Sequence, residues 1–132
     1  VNLIEKNTAF SNKCEIRDKI VTWQDIEFAT SDLMLQEEVR ELIDAVSKRD
    51  EAETLDGAYD IAVISLNVAY KLFRNLGFDH LESCERTKEG FDIVLNSNLS
   101  KIKPDGTIDI DENGKVMKPD TFIKPNFTDL LR

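Results

Sequence analysis

Leu35, Val39, Leu42 and Val46 recur at i, i+4, i+7 and i+11, the spacing of one stripe along an α-helix. They predict a helix from about Asp32 to Arg49, opened by Thr30-Ser31-Asp32 and closed by the polar stretch SKRDEAET. A second helix is expected from about Leu55 to Leu76. It is apolar on nearly every side (Leu55, Ala58, Ile61, Ile64, Leu66, Val68, Leu72, Phe73), which predicts a central, buried position. Gly77 is placed to end it. Asp79 then caps a third helix, about His80 to Leu95, with Leu81, Cys84, Phe91 and Val94 as its apolar positions. Residues 1–30 hold a weaker pattern. Leu3, Ile4 and Phe10 fit one short helix, and Ile16, Ile20, Val21 and Trp23 suggest another. Phe10 and Trp23 could stack on a base, but aromatic residues in such a setting more often belong to the core.

From Pro104 the periodicity changes. Asp105-Gly106 and Asn113-Gly114 are turn dipeptides, and Thr107, Ile108, Ile110, Val116 and Met117 lie between and after them. This predicts a small β-hairpin turning at Glu112-Asn113-Gly114. Phe122, Phe127 and Leu130 remain to dock the tail on the helices or on a neighbouring subunit. The expectation is one all-α domain over 1–132, with a helical core at about 31–101 and a hairpin and tail at about 104–132.

Charge adds the first chemical constraint. Twenty-six acids against seventeen lysines and arginines give a net charge of −9. Such a surface repels nucleic-acid backbones and anionic lipids, so no nucleic-acid or membrane partner is expected. No apolar run is long enough to span a bilayer, and VNLIEKNTAF lacks the basic-plus-apolar pattern of a secretory signal, which predicts a cytoplasmic protein. Cys14 and Cys84 have no metal-ligand spacing and are expected as thiols. His80 is the sole histidine, so acid–base work would fall to carboxylates, lysines or metal-bound water.

The acids are not evenly spread. Glu38 and Glu41 are three apart on the first predicted helix, in a row with Met34 and Ala45. Asp56 and Asp60 are four apart on the most apolar helix, sharing a face with Val63 and Asn67. The nearby cations Lys48, Arg49, Lys71 and Arg74 fall toward the helix ends in this reading. Carboxylates on a buried helix need an opposing charge, and a divalent cation bridging both helices would satisfy all four. Hard oxygen ligands favour Mg2+, with Mn2+ as the alternative. The competing explanation is a solvated acidic helix face, with Asp56 a first-turn acid favoured by the helix dipole.

These residues resemble the all-α nucleoside triphosphate pyrophosphohydrolases, the superfamily of MazG, phosphoribosyl-ATP pyrophosphohydrolase and the dimeric dUTPases. The shared features are the Glu-Glu-x-x-Glu helix, here Glu37-Glu38-Val39-Arg40-Glu41, and a second helix with paired acids, here Asp56-Gly57-Ala58-Tyr59-Asp60. Gly57 stands where the commoner motif has glutamate. The segment Ser97-Asn98-Leu99-Ser100-Lys101 and the later Gly114-Lys115-Val116-Met117-Lys118 are similar to a subgroup common in phages and bacteria. The resemblance spans roughly 31–127. It implies an antiparallel helical bundle and Mg2+-dependent cleavage of an NTP or dNTP to the monophosphate and pyrophosphate. Glu38, Glu41, Asp56 and Asp60 would hold the metal, Glu37 would orient or deprotonate water, and Asn98, Lys101, Lys115 and Lys118 would contact phosphate or sugar. The short chain and its very apolar helix add the expectation of a homodimer or homotetramer.

Two rival readings are weaker. Asp109 to Asp120 matches a Ca2+-binding EF-hand loop, but Pro104 precedes it and Pro119 lies inside it. A non-catalytic helical interaction or metal-binding protein, with the acids as surface charge, is the alternative function.

Overall fold

The computed structural model describes residues 2–16 and 19–132. Among them it contains five α-helices: α1 (Leu3–Phe10), α2 (Trp23–Ala29), α3 (Leu35–Ser47), α4 (Glu51–Asn75) and α5 (His80–Leu99). A π-helical segment, Ser11–Ile16, continues α1, and a 3-10 turn, Thr128–Leu131, lies near the other end. The all-α class holds. No described helix is long and apolar enough to cross a membrane. The chain divides into two compact units, Val1–Thr87 and Lys88–Arg132.

In the first unit α4 is the axis, packed by α3, α2 and α1. Local chemistry sets its limits. The Asp50 carboxylate accepts from the Glu53 amide at 3.1 Å and caps the helix, four residues earlier than its apolar pattern indicates. SKRDEAET is therefore mostly helix: only Lys48 to Asp50 connect α3 to α4, with Arg49 in the left-handed region at φ 57°. At the other end Gly77 takes φ 101°, its amide bonds Arg74 O, and the Phe78 amide bonds Phe73 O, the paired closure that glycine permits. Asp79 caps α5 through the Glu82 amide at 2.8 Å, as expected. That helix runs one turn beyond Leu95, to Leu99.

The apolar stripes do not face where periodicity alone puts them. In α4 the buried positions are Gly57, Asn67, Tyr70, Lys71 and Phe73, while Leu55 (57 % exposed) and Tyr59 (66 %) point outward. Its first half is therefore not a buried central helix within this chain. In α3 only Ala45 is buried, and Ile43 and Val46 are exposed. Gly57 marks the closest α3–α4 approach: a Cβ there would meet Leu42 Cβ at 3.2 Å and Leu42 Cα at 3.3 Å. Phe10 and Trp23, expected in the core, are also largely exposed.

The small core unites Ile16, Val21, Tyr70 and Cys84. Tyr70 is fully buried, so its hydroxyl must be satisfied internally. It meets His80 Nδ1 at 2.8 Å and accepts from Arg74 Nη1 at 2.8 Å, and the same Arg74 nitrogen reaches Asn12 Oδ1 at 2.8 Å. The Cys84 thiol lies 3.0 Å from Thr8 Oγ1, and burial pushes its pKa up.

In the second unit Leu130 docks against Gly90, where a Cβ would stand 3.3 Å from Leu130 Cδ1. The Ile123 amide donates to Ser100 Oγ at 2.8 Å and pins the tail to the end of α5. The expected β-hairpin is reduced to one antiparallel bridge, Ile110 to Val116. Asp111 Oδ1 accepts the amides of Asn113 and Lys115 and forms the turn. Flanking segments this short, hemmed by Pro104 and Pro119, cannot extend a ladder, and two strands alone are marginal. The EF-hand reading lacks its frame, because the loop is preceded by coil rather than helix.

Candidate functional site: a carboxylate cluster between two helices

Glu37 and Glu38 lie in the first turn of α3, where the helix dipole ordinarily favours ionised acids. Glu38 departs from that rule. Its row, Met34, Glu38, Leu42 and Ala45, is less exposed than the row of Val39, Ile43 and Val46, so the acid-bearing face turns toward α4 together with Leu42, while Val39 and Val46 of the apolar stripe turn away. Glu38 Oε2 is sealed from solvent without a hydrogen-bond partner among the described residues. Its carboxyl is pushed up to about 7, first by loss of water, then by the charges of Asp60 and Glu41, a hydrogen bond with Glu41, and the charge of Glu37. Desolvation and like charges outweigh the dipole, which is worth roughly 0.3–1 kcal/mol at such positions.

The structure thus brings Glu38, Glu41 and Asp60 into electrostatic contact across α3 and α4, with Glu37 close enough to act. Asp56 is exposed on α4, one turn before Asp60, and is not among the groups that perturb Glu38. Gly57 lies against Leu42, so a glutamate there could not enter the interhelical space without prising the helices apart. Among the described residues, no three His, Cys, Asp or Glu side chains are already gathered as a metal cage. Glu37 and Glu41 are exposed and long, so their positions are not fixed by packing.

Two α4 residues belong to the same face. Gly57, Asp60, Ile64, Asn67 and Lys71 recur every three or four residues and form one row. Asn67 is 7 % exposed, with its Oδ1 lacking a hydrogen-bond partner among the described residues. Lys71 is also 7 % exposed, although its sequence position suggests a solvated helix end. The missed signal was its spacing of eleven residues from Asp60, which returns it to the acid face.

The other candidate residues lie in the second unit. Lys101 Nζ donates to Asn98 Oδ1 at 3.3 Å at the end of α5. Lys115 is exposed beside the Asp111 turn, and the Lys118 ammonium sits 5.1 Å from the centre of the Phe122 ring.

No protein-family model matches this chain, and neither the curated proteins nor the solved structures contain a match to it.

Proposed function

We propose that the chain is a divalent-metal-dependent nucleoside triphosphate pyrophosphohydrolase, releasing pyrophosphate and a nucleoside monophosphate. One observation carries the reading: Glu38 is turned into an interhelical space beside Asp60 and Glu41, partly stripped of water, with one buried oxygen that no hydrogen bond satisfies among the described residues. An acid partly stripped of water among like charges lowers stability, and function is a common reason for keeping one. The resemblance of the Glu37–Glu41 and Asp56–Asp60 motifs supplies the reaction class.

The donor set fits a hard cation. Glu38, Glu41 and Asp60 would hold Mg2+ or Mn2+, with Asp56 reached from the next turn. When bound, the ion neutralises charge on the phosphate oxygens and aligns the triphosphate. Glu37, exposed at the rim, would orient the attacking water and take its proton. In the second unit, the family resemblance assigns Asn98, Lys101, Lys115 and Lys118 as donors to phosphate or sugar oxygens.

A homo-oligomer belongs to the same proposal. Val39, Ile43 and Val46 on α3 and Leu55, Tyr59 and Val63 on α4 expose apolar surface that an isolated chain has no reason to keep. A second copy on these faces would give a dimer, and repetition a tetramer. The same surface also suits the alternative, a non-catalytic helical interaction module.

Pyrophosphate and orthophosphate release from a panel of NTPs and dNTPs, with Mg2+ or Mn2+, decides between them. Pyrophosphate release abolished by Glu38→Gln and by Asp60→Asn, each still folded, supports the enzyme. Undiminished turnover in both variants, or no turnover and no metal-dependent rise in Tm for the wild type, overturns it.

A further inference from the structure

A cavity of about 430 Å3 opens in the first unit where residues 19–21 pass the turn between α4 and α5. Asn75 ties the two segments together, its Nδ2 donating to Val21 O at 2.8 Å. The wall is apolar at Ile20, Val21 and Phe78 and charged at Lys19, Arg74 and Asp79. Arg74 is the anchor. Its Nη1 donates at 2.8 Å both to the Tyr70 hydroxyl and to Asn12 Oδ1. Two neutral partners, one on α4 and one in the π-helical segment, thus fix the guanidinium, whose carbon lies 5.9 Å from the centre of the Tyr70 ring. Nε and Nη2 donate no hydrogen bond among the described residues, and neither is sealed from solvent. Those two nitrogens form the side edge of the guanidinium, a fork that takes a carboxylate bidentately. The chain has 26 acids, yet Arg74 forms no ion pair among the described residues.

The remaining charges narrow the choice of ligand. Lys19 is already engaged by Asp25 at 3.4 Å. Asp79 gives Oδ1 to the Glu82 amide at 2.8 Å and lines the cavity without pairing with Arg74. A carboxylate has about four acceptor positions, so Asp79 keeps capacity for a donor. Asn75 adds its side-chain oxygen, since its amide nitrogen is the atom spent on Val21. The cavity therefore offers a cationic fork and anionic or neutral acceptors, with apolar surface beside them. A phosphate dianion would gain from Arg74 and be repelled by Asp79. A zwitterion is matched at both ends.

We propose that this cavity binds a free α-amino acid with an apolar side chain. The carboxylate sits on the Arg74 fork, the ammonium donates to Asp79 and Asn75, and the side chain lies against Ile20, Val21 and Phe78. The site is independent of the hydrolase reading and uses none of its residues.

The test is an NMR titration of the nitrogen-labelled full chain with L-leucine and L-phenylalanine. The controls are 4-methylpentanoate, which lacks the ammonium, leucinamide, which lacks the carboxylate, and inorganic phosphate. At least one amino acid should move the Gly77 amide and Arg74 Nε–H signals saturably, and each control should bind tenfold or more weakly. Asparagine caps a helix as well as aspartate, so Asp79→Asn should keep the fold and close the gap between L-leucine and 4-methylpentanoate. Arg74→Lys keeps the charge, loses the fork and should weaken L-leucine tenfold. Three results overturn the assignment. The first is no saturable shift from either amino acid at millimolar concentration. The second is leucinamide or phosphate binding as tightly as L-leucine. The third is a gap between L-leucine and 4-methylpentanoate that survives Asp79→Asn, which would leave Arg74 as a strut between α4 and the π-helical segment.

Discussion

Glu38→Gln should stabilise the metal-free protein at neutral and alkaline pH while removing its response to metal. In the native chain the Glu38 carboxyl ionises at about 7, whereas an unfolded glutamate does so near 4.5. Between those values the folded state holds a proton that the unfolded state has released. Stability therefore falls as pH rises through this window, and the full penalty is present above about 7. The difference corresponds to roughly 3 kcal/mol as a ceiling. Glu38 is partly solvated, and screening reduces the expected penalty to roughly 1–2 kcal/mol. A neutral glutamine of the same length escapes it. For a chain of this size the gain corresponds to about 3–8 °C in Tm. The assay is thermal melting of wild type and variant from pH 5 to pH 8.5, in EDTA and in millimolar Mn2+. The variant should melt higher at pH 8, converge with wild type at pH 5, and lose the Mn2+-induced rise that wild type shows. A variant less stable than wild type at pH 8 in EDTA would refute the account of Glu38 as a desolvated, repelled carboxylate. A Mn2+ shift retained by the variant would remove Glu38 from the metal site.

Other features of the chain make independent predictions. Gly57→Ala should lose roughly 0.5–1.5 kcal/mol in urea unfolding, because the crowding against Leu42 outweighs the roughly 1 kcal/mol that alanine ordinarily gains inside a helix. Tyr70→Phe should lower stability by roughly 1–3 kcal/mol, since it strips His80 and Arg74 of a shared partner; an unchanged midpoint would show that water replaces the hydroxyl. Of the two thiols, exposed Cys14 should react with a thiol reagent at pH 8, and buried Cys84 should follow only on unfolding, a contrast read directly from the kinetics of label incorporation. Ile43→Asp combined with Tyr59→Lys should shift the chain toward monomer in light scattering if a second copy covers these faces, and leave the mass unchanged if none does.

Much of the architecture is readable along the chain. The i, i+3, i+4 recurrence of apolar residues, Gly77 as a stop and Asp79 as a cap suffice for α3, α4 and α5, because helix periodicity and end chemistry are local. The pairing of Glu38 with Glu41 on one face is local for the same reason. Which face turns inward is not local. Periodicity marks Leu35, Val39, Leu42 and Val46 as a stripe, but the close approach at Gly57 and Leu42 rotates α3 so that Glu38 and Ala45 face α4 and Val39 and Val46 do not. The same packing separates Asp56 from Asp60, which look equivalent at a spacing of four, and draws Lys71 and Asn67 into the interior of a helix whose first half is exposed. The raised pKa of Glu38 and the burial of Lys71 are therefore tertiary facts. They depend on which surfaces lose water, and that is decided only when one helix is set against another.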